Sequence, residues 1–402
     1  MKGWRRGVEL ISHPDRSPHL RGNAIIFVTV AMTTCIAFSV LTLDVGMILM
    51  TKIQLQNAAD AAALAGASAL ILGNQAEARS RAIAVAGQNL AWQDGLDPVV
   101  IGDLDVTFPS ATRCRVRTHR TRATGDALRT FFVQVLNPES DRLAEASATA
   151  EAEYFQVCGS TCIKPWSVPD RWDDVNDNLE YDYAEDYTDS NRNGQWNAGE
   201  PFDDENGNGL WDPDEPYDPV ATGYLPADDV GLRCTLKIGQ PKDTIVPCFF
   251  YAVDLPALHD PSGGLQSGAS SYREHIIDCA PYLVQVGDSL QVKPGNMSGP
   301  TRQGVQALID QDPGASWDNA SQTVLGSAFG TSPRVVKVAL FDPRFTPHSG
   351  RDFVIVAKLG AFFIEGADAD GGVTGVFTGT ITQGEPCASD DPAFLTSLHL
   401  VH

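Results

Sequence analysis

The segment that decides the fold is RGNAIIFVTVAMTTCIAFSVLTLDVGMILMTKIQLQNAADAAALAGASAL, residues 21–70. Its first part, Ala24 to Leu43, is an uncharged and mostly apolar run without Gly or Pro. A helix of about 20 residues spans roughly 30 Å, which is the hydrocarbon thickness of a bilayer. The later part, Ala58 to Ala69, consists almost wholly of strong helix formers. The segment therefore predicts a transmembrane helix over 24–43 that continues without a break to about residue 72.

The charges before this run predict its orientation. Five cations stand against Glu9 and Asp15 in the lead, namely Lys2, Arg5, Arg6, Arg16 and Arg21. Because cytoplasmic segments carry an excess of Lys and Arg, residues 1–23 are predicted to be a cytoplasmic lead and the rest to be exported. The alternative is a cleaved secretory signal. We favour a retained anchor, since the apolar run is longer than a signal core and the helical pattern continues past Asp44.

The order of charges and glycines in this segment resembles a known family. Arg-Gly at 21–22, Asp-Val-Gly at 44–46 and LQNAADAAALAGA at 55–67 are similar to the N-terminal module of TadG-like Flp (Tad) pilus-assembly proteins. The resemblance is tight over about residues 21–72 and loose to about 156. It implies a single-pass inner-membrane component of pilus biogenesis whose bulk is periplasmic or on the cell surface. Phe27 stands where processed prepilins carry Glu, so prepilin-type cleavage is not expected.

The small-residue stripe from Ala58 to Ala69 predicts how the protein meets its partners. Ala and Gly stripes permit close approach between helices. We therefore expect this face of the long helix to contact other pilus-assembly proteins, so that Ala62→Leu or Gly66→Leu would disrupt assembly.

Composition and pattern predict an α+β protein with two domains beyond the membrane helix. Residues 74–156 predict a small, pilin-like α+β domain with helices at 75–92 and 126–136 and strands at 99–108, 113–120 and 144–154. Residues 157–402 predict a mostly β domain with strands at 232–238, 246–253, 334–341, 352–363 and 372–382 and a helix at 302–310. The net charge of −22 argues against a nucleic-acid partner, because phosphate binding needs a basic surface.

The eight cysteines predict disulfides. Cys35 lies in the membrane run, and seven follow it: Cys114, Cys158, Cys162, Cys234, Cys248, Cys279 and Cys387. In an oxidising compartment most of the six from Cys158 onward are expected to pair, with one of the seven left over or paired with another chain. A zinc knuckle at Cys158 and Cys162 is less favoured, since no second Cys-x-x-Cys follows. The pairing itself stays open.

Two loops with a calcium-binding layout lie in an acidic segment, 170–218, which carries 17 Asp and Glu against Arg171 and Arg192. Oxygen side chains at positions 1, 3 and 5, Gly at 6, a backbone carbonyl at 7 and an acid at 12 are the ligand pattern of a Ca²⁺ loop. The predicted ligands are Asp189, Asn191, Asn193, Gln195 and Glu200 in one loop, and Asp204, Asn206, Asn208, Leu210 and Glu215 in the next.

A third copy lies 15 residues before the first of these loops, within repeats that span 174–218. Its predicted ligands are Asp174, Asn176, Asn178 and Glu185, and Leu179 replaces the glycine, so we expect weaker binding there. Proline follows Glu200 and Glu215, which prevents an exiting helix. The loops therefore resemble the helix-free calcium repeats of thrombospondin type 3 and dockerin-like modules. Bound Ca²⁺ would neutralise a segment with too little apolar surface to fold alone.

Enzyme motifs are lacking. There is no Gly-x-Ser-x-Gly, no His-Glu-x-x-His and no phosphate loop in the sequence, and no small-molecule substrate is indicated. We therefore predict no enzyme, but a membrane-anchored, calcium-stabilised structural component of Flp/Tad-type pilus assembly. The alternative is a calcium-dependent adhesin or surface binding protein that uses the same anchor.

Overall fold

The computed structural model describes residues 20–71, 73–93, 95–130, 143–205, 207–258, 264–265, 267–349, 351–388 and 393–401. The chain divides into two compact units. The first comprises Met1–Ala152 with Leu400–His402, and the second comprises Glu153–His399.

Two helices form the frame of the first unit. Helix α1, Leu20–Leu70, is 51 residues long, and helix α2, Gln75–Gln88, packs against its C-terminal part. The Asn74 side chain begins α2, because its Oδ1 accepts hydrogen bonds from the backbone N–H groups of Ala76 (3.0 Å) and Glu77 (3.1 Å). The alanine stripe of α2 is fully buried, and this lets the two helices approach closely.

Short strands complete the first unit. They are β1 (Leu90–Trp92), β2 (Leu96–Pro98), β3 (Val106–Thr107), β4 (Arg113–Arg120), β5 (Leu128–Arg129), β6 (Leu143–Ala144) and the first half of β7 (Ala146–Ser160). Strands β3, β4 and β7 form one sheet in that order, while β1–β2 and β5–β6 form antiparallel pairs. The strand predicted at 113–120 is confirmed.

Three predictions for this unit are wrong in whole or in part. The helix predicted at 75–92 ends at Gln88, and Leu90–Trp92 form strand β1. The strand predicted at 99–108 is present only as β3, because a 3₁₀ turn, Asp103–Asp105, precedes it. The helix predicted at 126–136 is not formed at residues 128–129, which instead form strand β5 and pair with β6, with Leu128 opposite Ala144. A short run of apolar residues fits a helix or a strand equally well, and here pairing with a segment distant in sequence makes it a strand. Residues 131–142 of that prediction lie outside the described residues.

The second unit is built on a closed sheet. Its ring consists of strands β8 (Ile163–Pro169), β9 (Arg233–Ile238), β10 (Phe249–Ala252), β15 (Val335–Phe341), β16 (Phe353–Ala367) and β17 (Val373–Thr378). The strand order is β16-β15-β8-β10-β9-β17, and β17 pairs again with β16. The pairs β8–β15 and β9–β10 are parallel, and the others are antiparallel. The interior is filled by buried aromatic side chains, including Trp166, Phe250, Phe362 and Phe377.

Shorter elements complete this unit: helices α3 (Pro226–Asp229), α4 (Ala269–Ile277) and α5 (Ser298–Gln311), and strands β11 (Val284–Gln285), β12 (Ser289–Gln291), β13 (Ser316–Asp318), β14 (Thr323–Leu325), β18 (Thr380–Ile381), β19 (Glu385–Pro386) and β20 (Leu395–Val401). Each of the five predicted β runs contains a strand. The predicted helix begins earlier, at Ser298, because Pro300 fits the first turn, where N–H groups lack helical partners. The α+β fold with a long N-terminal apolar helix and a β-rich C-terminal part is thus confirmed.

Two disulfides lie in the second unit. Cys158 is bonded to Cys387, and Cys162 is bonded to Cys279. The expectation of disulfides beyond residue 157 is confirmed for these four residues.

Candidate functional site

The N-terminal part of α1 is an apolar rod that no other part of the described chain covers. Ala24–Leu70 is long and apolar enough to cross a membrane by length and composition, and its most apolar window is 0% buried. Large side chains such as Ile25, Phe27 and Phe38 are 68%, 75% and 67% exposed. A surface of this kind needs an apolar environment.

The hydroxyl groups within this rod are satisfied by the helix itself. Each donates to the carbonyl four residues earlier at 2.8–2.9 Å, in the pairs Thr29–Ile25, Thr33–Thr29, Thr34–Val30, Ser39–Cys35 and Thr42–Phe38. In hydrocarbon an unpaired polar group costs several kcal/mol, so internal pairing is what a membrane helix requires.

The small-residue stripe of α1 is occupied within the first unit. The alanines at 58, 59, 62, 63, 67 and 69 are all 0% exposed, and α1 packs there against α2 and β4. The expectation that this face contacts other pilus-assembly proteins is therefore wrong. Sequence could not separate the two cases, because a small-residue face permits close approach to any neighbour, in the same chain or another.

Gly66 marks the closest approach in this packing. A Cβ atom at Gly66 would lie 2.4 Å from Cys114 Sγ and 3.4 Å from the Ala78 carbonyl oxygen. The Cys114 thiol is buried, and burial raises its pKa to about 11, which keeps the thiol protonated at neutral pH. Gly66 is thus needed for space rather than for backbone freedom.

We expect Gly66→Ala to destabilise the first unit and Gly46→Ala to leave it intact. Overpacking a dense interface costs about 1–3 kcal/mol, whereas a Cβ at Gly46 meets nothing within 4 Å on the same helix. Hydrogen exchange of the α2 amides measures the difference and should be roughly tenfold faster in Gly66→Ala. Adding Cys114→Ala should recover part of the protection. Equal exchange in both glycine variants would contradict this packing.

The three acidic repeats share one backbone conformation. Positions 4 and 6 of every loop have positive φ: Asp177 (57°) and Leu179 (62°), Arg192 (60°) and Gly194 (75°), and Gly207 (75°) and Gly209 (74°). Leu179 therefore adopts the left-handed conformation although it lacks the freedom of glycine, which costs of order 1 kcal/mol. The first copy is a complete loop.

The predicted ligand side chains turn inward in the same way in each loop. The aspartate at position 1 accepts the N–H of position 6 at 2.8 Å, in the pairs Asp174–Leu179, Asp189–Gly194 and Asp204–Gly209. The asparagine at position 5 accepts the N–H of position 7 at 2.6–2.8 Å, in the pairs Asn178–Glu180, Asn193–Gln195 and Asn208–Leu210. At position 3, Asn176 and Asn191 accept the N–H of position 5 at 3.1 and 3.0 Å. Asn206 lies outside the described residues.

The glutamates at position 12 do not all close their own loops. Glu200 does, since its carboxylate accepts N–H groups of Ser190 and Asn197, both at 2.9 Å. Glu215 instead accepts from Val175 (3.1 Å) and Asp182 (3.3 Å) in the first loop.

Glu185 makes the reciprocal contact with the third loop. Its carboxylate accepts the N–H groups of Glu205 at 2.9 Å and Asp212 at 3.2 Å. The assignment of Glu185 and Glu215 each to its own loop therefore differs from the structure, which exchanges them. In the absence of an exiting helix, the spacing in the sequence alone does not keep the glutamate at position 12 next to its own loop. Two backbone hydrogen bonds determine the position of each glutamate instead. The Glu185 N–H donates to the Asp212 carbonyl and the Glu215 N–H donates to the Asp182 carbonyl, each at 3.0 Å.

The aromatic residues at position 8 of the first and third loops also bond to the glutamate of the other repeat. Trp211 Nε1 donates to the Glu185 carbonyl (2.8 Å), and Tyr181 Oη donates to the Glu215 carbonyl (3.2 Å). Trp196 Nε1 donates to Glu200 of its own repeat (3.3 Å). The rings of Trp196 and Trp211 stack with centroids 5.1 Å apart and an interplanar angle of 11°. Trp196 and Trp211 thus make an aromatic contact between two repeats, whereas Tyr181 packs in the main core of the second unit. The spacing of these three aromatic residues could have indicated a packing role.

Tyrosines hold the repeats to the rest of the second unit, and sequence reasoning missed them. The Tyr181 N–H donates to the Ile245 carbonyl at 2.9 Å. The Tyr183 hydroxyl donates to the Pro343 carbonyl at 2.8 Å, and the Tyr217 hydroxyl donates to Asp170 Oδ2 at 3.0 Å. These contacts hold the first repeat and the end of the third.

The donor set of the loops fits a hard cation. Each loop offers a carboxylate at position 1, amide oxygens at positions 3 and 5, and one glutamate, which are oxygen ligands that Ca²⁺ accepts. Within the described part of the chain, no three His, Cys, Asp or Glu side chains form a group that could hold a metal ion.

Two of the glutamates are buried without a compensating charge. Glu185 is 6% exposed and Glu215 is 3% exposed, and their partners in the described residues are the backbone N–H groups named above. Burial raises the pKa of Glu215. Burying a carboxylate without a cation is costly, so these positions favour a bound cation.

The comparisons with known proteins concern α1. Residues 22–69 match the family model described as putative Flp pilus-assembly TadE/G-like, named Tad. The resemblance of the N-terminal module is thus confirmed, and the module corresponds closely to α1. The match ends at residue 69 and does not reach the acidic repeats. No curated protein and no solved structure matches the chain.

Proposed function

We propose that this chain is a single-pass, inner-membrane-anchored, extracytoplasmic structural component of Flp/Tad-type pilus assembly, without catalytic activity. The observation that carries the proposal is the coincidence of the Tad match at residues 22–69 with an exposed apolar helix whose hydroxyls are internally paired. The basic lead favours an N-terminus in the cytoplasm and a bulk that is periplasmic or on the cell surface. The partners are other pilus-assembly proteins, met through surfaces other than the buried alanine stripe.

A topology experiment tests the anchor. A periplasm-dependent reporter fused after His402 should be active, while a cytoplasm-dependent reporter at the same point should be inactive. The full chain should stay with membranes after a carbonate wash, because an apolar run of this length is inserted rather than adsorbed. A chain recovered as a free soluble species, or a reversed reporter pattern, would contradict the proposed anchor.

We further propose that the acidic repeats bind Ca²⁺ and that the ion is structural. Three loops with one backbone, two uncompensated buried glutamates and a local charge of −15 over residues 170–218 support this. Few carboxylates per loop indicate the millimolar to sub-millimolar affinities of extracellular modules. The cation would supply the positive charge that this segment lacks.

The exchange of Glu185 and Glu215 couples two of the proposed calcium sites. The first and third loops are each closed by a residue of the other repeat, so an ion in one loop restrains the segment that closes the other. We expect these two sites to fill together and the middle loop, closed by its own Glu200, to fill independently.

The second candidate function is a calcium-dependent adhesin or surface binding protein with the same anchor. The exposed position of the acidic repeats on the second unit favours it, since Leu179 and Leu210 are 64% and 66% exposed on neighbouring loops. The two functions differ in outcome. Loss of an assembly component removes pili, whereas loss of an adhesin leaves pili in place and removes attachment.

A further inference from the structure

Two cysteines that the structure leaves as thiols lie against each other in the second unit. Cys234 lies on β9 and is buried, and Cys248 immediately precedes β10 and is partly exposed. The two side chains are hydrogen-bonded to each other. Both also lie near the Tyr224 hydroxyl, whose pKa is raised mainly by burial and also by these two sulfurs. The pair is thus one cluster rather than two separate thiols.

The two cysteines lie on neighbouring backbones. Strands β9 and β10 are parallel neighbours, with Phe249 opposite Lys237. The Lys237 N–H donates to the Cys248 carbonyl at 2.9 Å. A disulfide requires neighbouring backbones and facing side chains. The strand pairing supplies the first, and the hydrogen bond between the two thiols supplies the second.

We propose that Cys234 and Cys248 form a third disulfide of the exported protein, closing the loop 235–247. The other two disulfides lie in the same unit, so an environment that oxidises them reaches this pair as well. A metal site is the competing use of two thiols, but no group of three or more His, Cys, Asp or Glu suited to a metal occurs among the described residues. With this bridge, the cysteine left over beyond the membrane run is Cys114, which is buried in the first unit.

The reaction is a thiol–disulfide exchange with an oxidised dithiol protein of that compartment. The Cys248 thiolate attacks one sulfur of the donor disulfide, and the donor's other sulfur leaves as a thiolate. The Cys234 thiolate then attacks Cys248 Sγ and releases the donor. The pair loses two electrons and two protons, and the donor leaves as a dithiol. The hydrogen bond from Cys234 lowers the pKa of Cys248, which suits the more exposed cysteine to attack first.

The bridge would hold a loop that reaches the acidic repeats. Within 235–247, the Ile245 carbonyl accepts the Tyr181 N–H of the first repeat, and the Lys242 N–H donates to the Pro347 carbonyl at 3.1 Å. Lys242 itself is exposed. A disulfide between Cys234 and Cys248 would join the two ends of this loop and restrict its conformations, which favours these contacts.

Peptide mapping of the full chain tests the proposal. The protein is isolated from membranes with a thiol-blocking maleimide present throughout, then denatured, digested without reductant and analysed by mass spectrometry. We expect a peptide containing Cys234 linked to one containing Cys248, and maleimide only on Cys35 and Cys114. Maleimide on both Cys234 and Cys248, in molecules with the other two disulfides intact, would overturn the proposal, as would linkage of either to another cysteine.

A protease measurement tests the role of the bridge. We expect trypsin to cut after Lys242 at least tenfold faster in the double variant Cys234→Ser, Cys248→Ser than in the parent. The matched control, Cys114→Ser, should be cut at Lys242 at the parent's rate. Equal rates in all three proteins would mean that the bridge does not hold this loop.

Discussion

Chelation of calcium is expected to expose residues 170–218 to protease while residues 75–130 stay protected. At ion concentrations about ten times the dissociation constant, each proposed site would add roughly 1.4 kcal/mol to the stability of the bound fold. Each site therefore changes the population of the open segment about tenfold. The reason is electrostatic, since 17 acidic residues in this segment face only two arginines and two of its glutamates are buried. Without the ion, their mutual repulsion is not compensated.

The measurement is limited proteolysis of the detergent-solubilised full chain at 2 mM Ca²⁺ (about that found outside cells) and after chelation. Magnesium at the same concentration is the control, because Mg²⁺ demands a smaller octahedral site and keeps its waters, so it should protect far less. Cleavage of 75–130 should not change, since those residues lie in the first unit and outside the repeats. An identical cleavage pattern with and without Ca²⁺, together with no heat of binding, would reduce the segment to a solvated acidic loop.

Glu215→Gln is expected to open the first loop rather than the third. The substitution keeps the size of the side chain and removes the charge that accepts the N–H groups of Val175 and Asp182. Hydrogen bonds to charged groups contribute about 1.5–3 kcal/mol, so these two amides should exchange at least tenfold faster. Glu185→Gln should have the reciprocal effect on the amides of Glu205 and Asp212.

Glu200→Gln is the matched control, because Glu200 closes its own loop and should affect only the amides of Ser190, Asn191 and Asn197. Hydrogen exchange read peptide by peptide distinguishes the three variants. The spacing of the sequence predicts the opposite result for Glu215→Gln, namely exposure of 204–212 with 174–182 intact. That outcome would contradict the exchange.

The helix α1 and the individual calcium-type loops could be predicted from sequence, because both are defined by local patterns. The apolar run and the stripe from Ala58 to Ala69 are local patterns, and they predicted the helix correctly because helices are closed by bonds between near neighbours. The loops were recognisable for the same reason, since positions 1 to 7 bond within seven residues. The partner of Glu215 lies 33 to 40 residues away, and no local pattern encodes that choice.

The same limit applies to packing partners. The alanines of α1 predicted a close contact, but its occupant, α2 with Cys114 of β4, follows from tertiary structure. The strand runs of the second unit were found from β-prone composition, while their closure into a ring through the double pairing of β16 depends on neighbours that are distant in sequence. The disulfide pairings 158–387 and 162–279 span 229 and 117 residues, which is why the spacing left them open.

The most direct test of the central claim is a count of Flp pili on cells that lack this chain but retain the other pilus-assembly genes. Electron microscopy should find pili absent or strongly reduced, restored by the full chain and not by a chain lacking residues 1–45, because under the proposed function assembly requires the anchored Tad module. A deletion strain with a normal number of pili would contradict a role in assembly, and loss of attachment in such a strain would favour the adhesin.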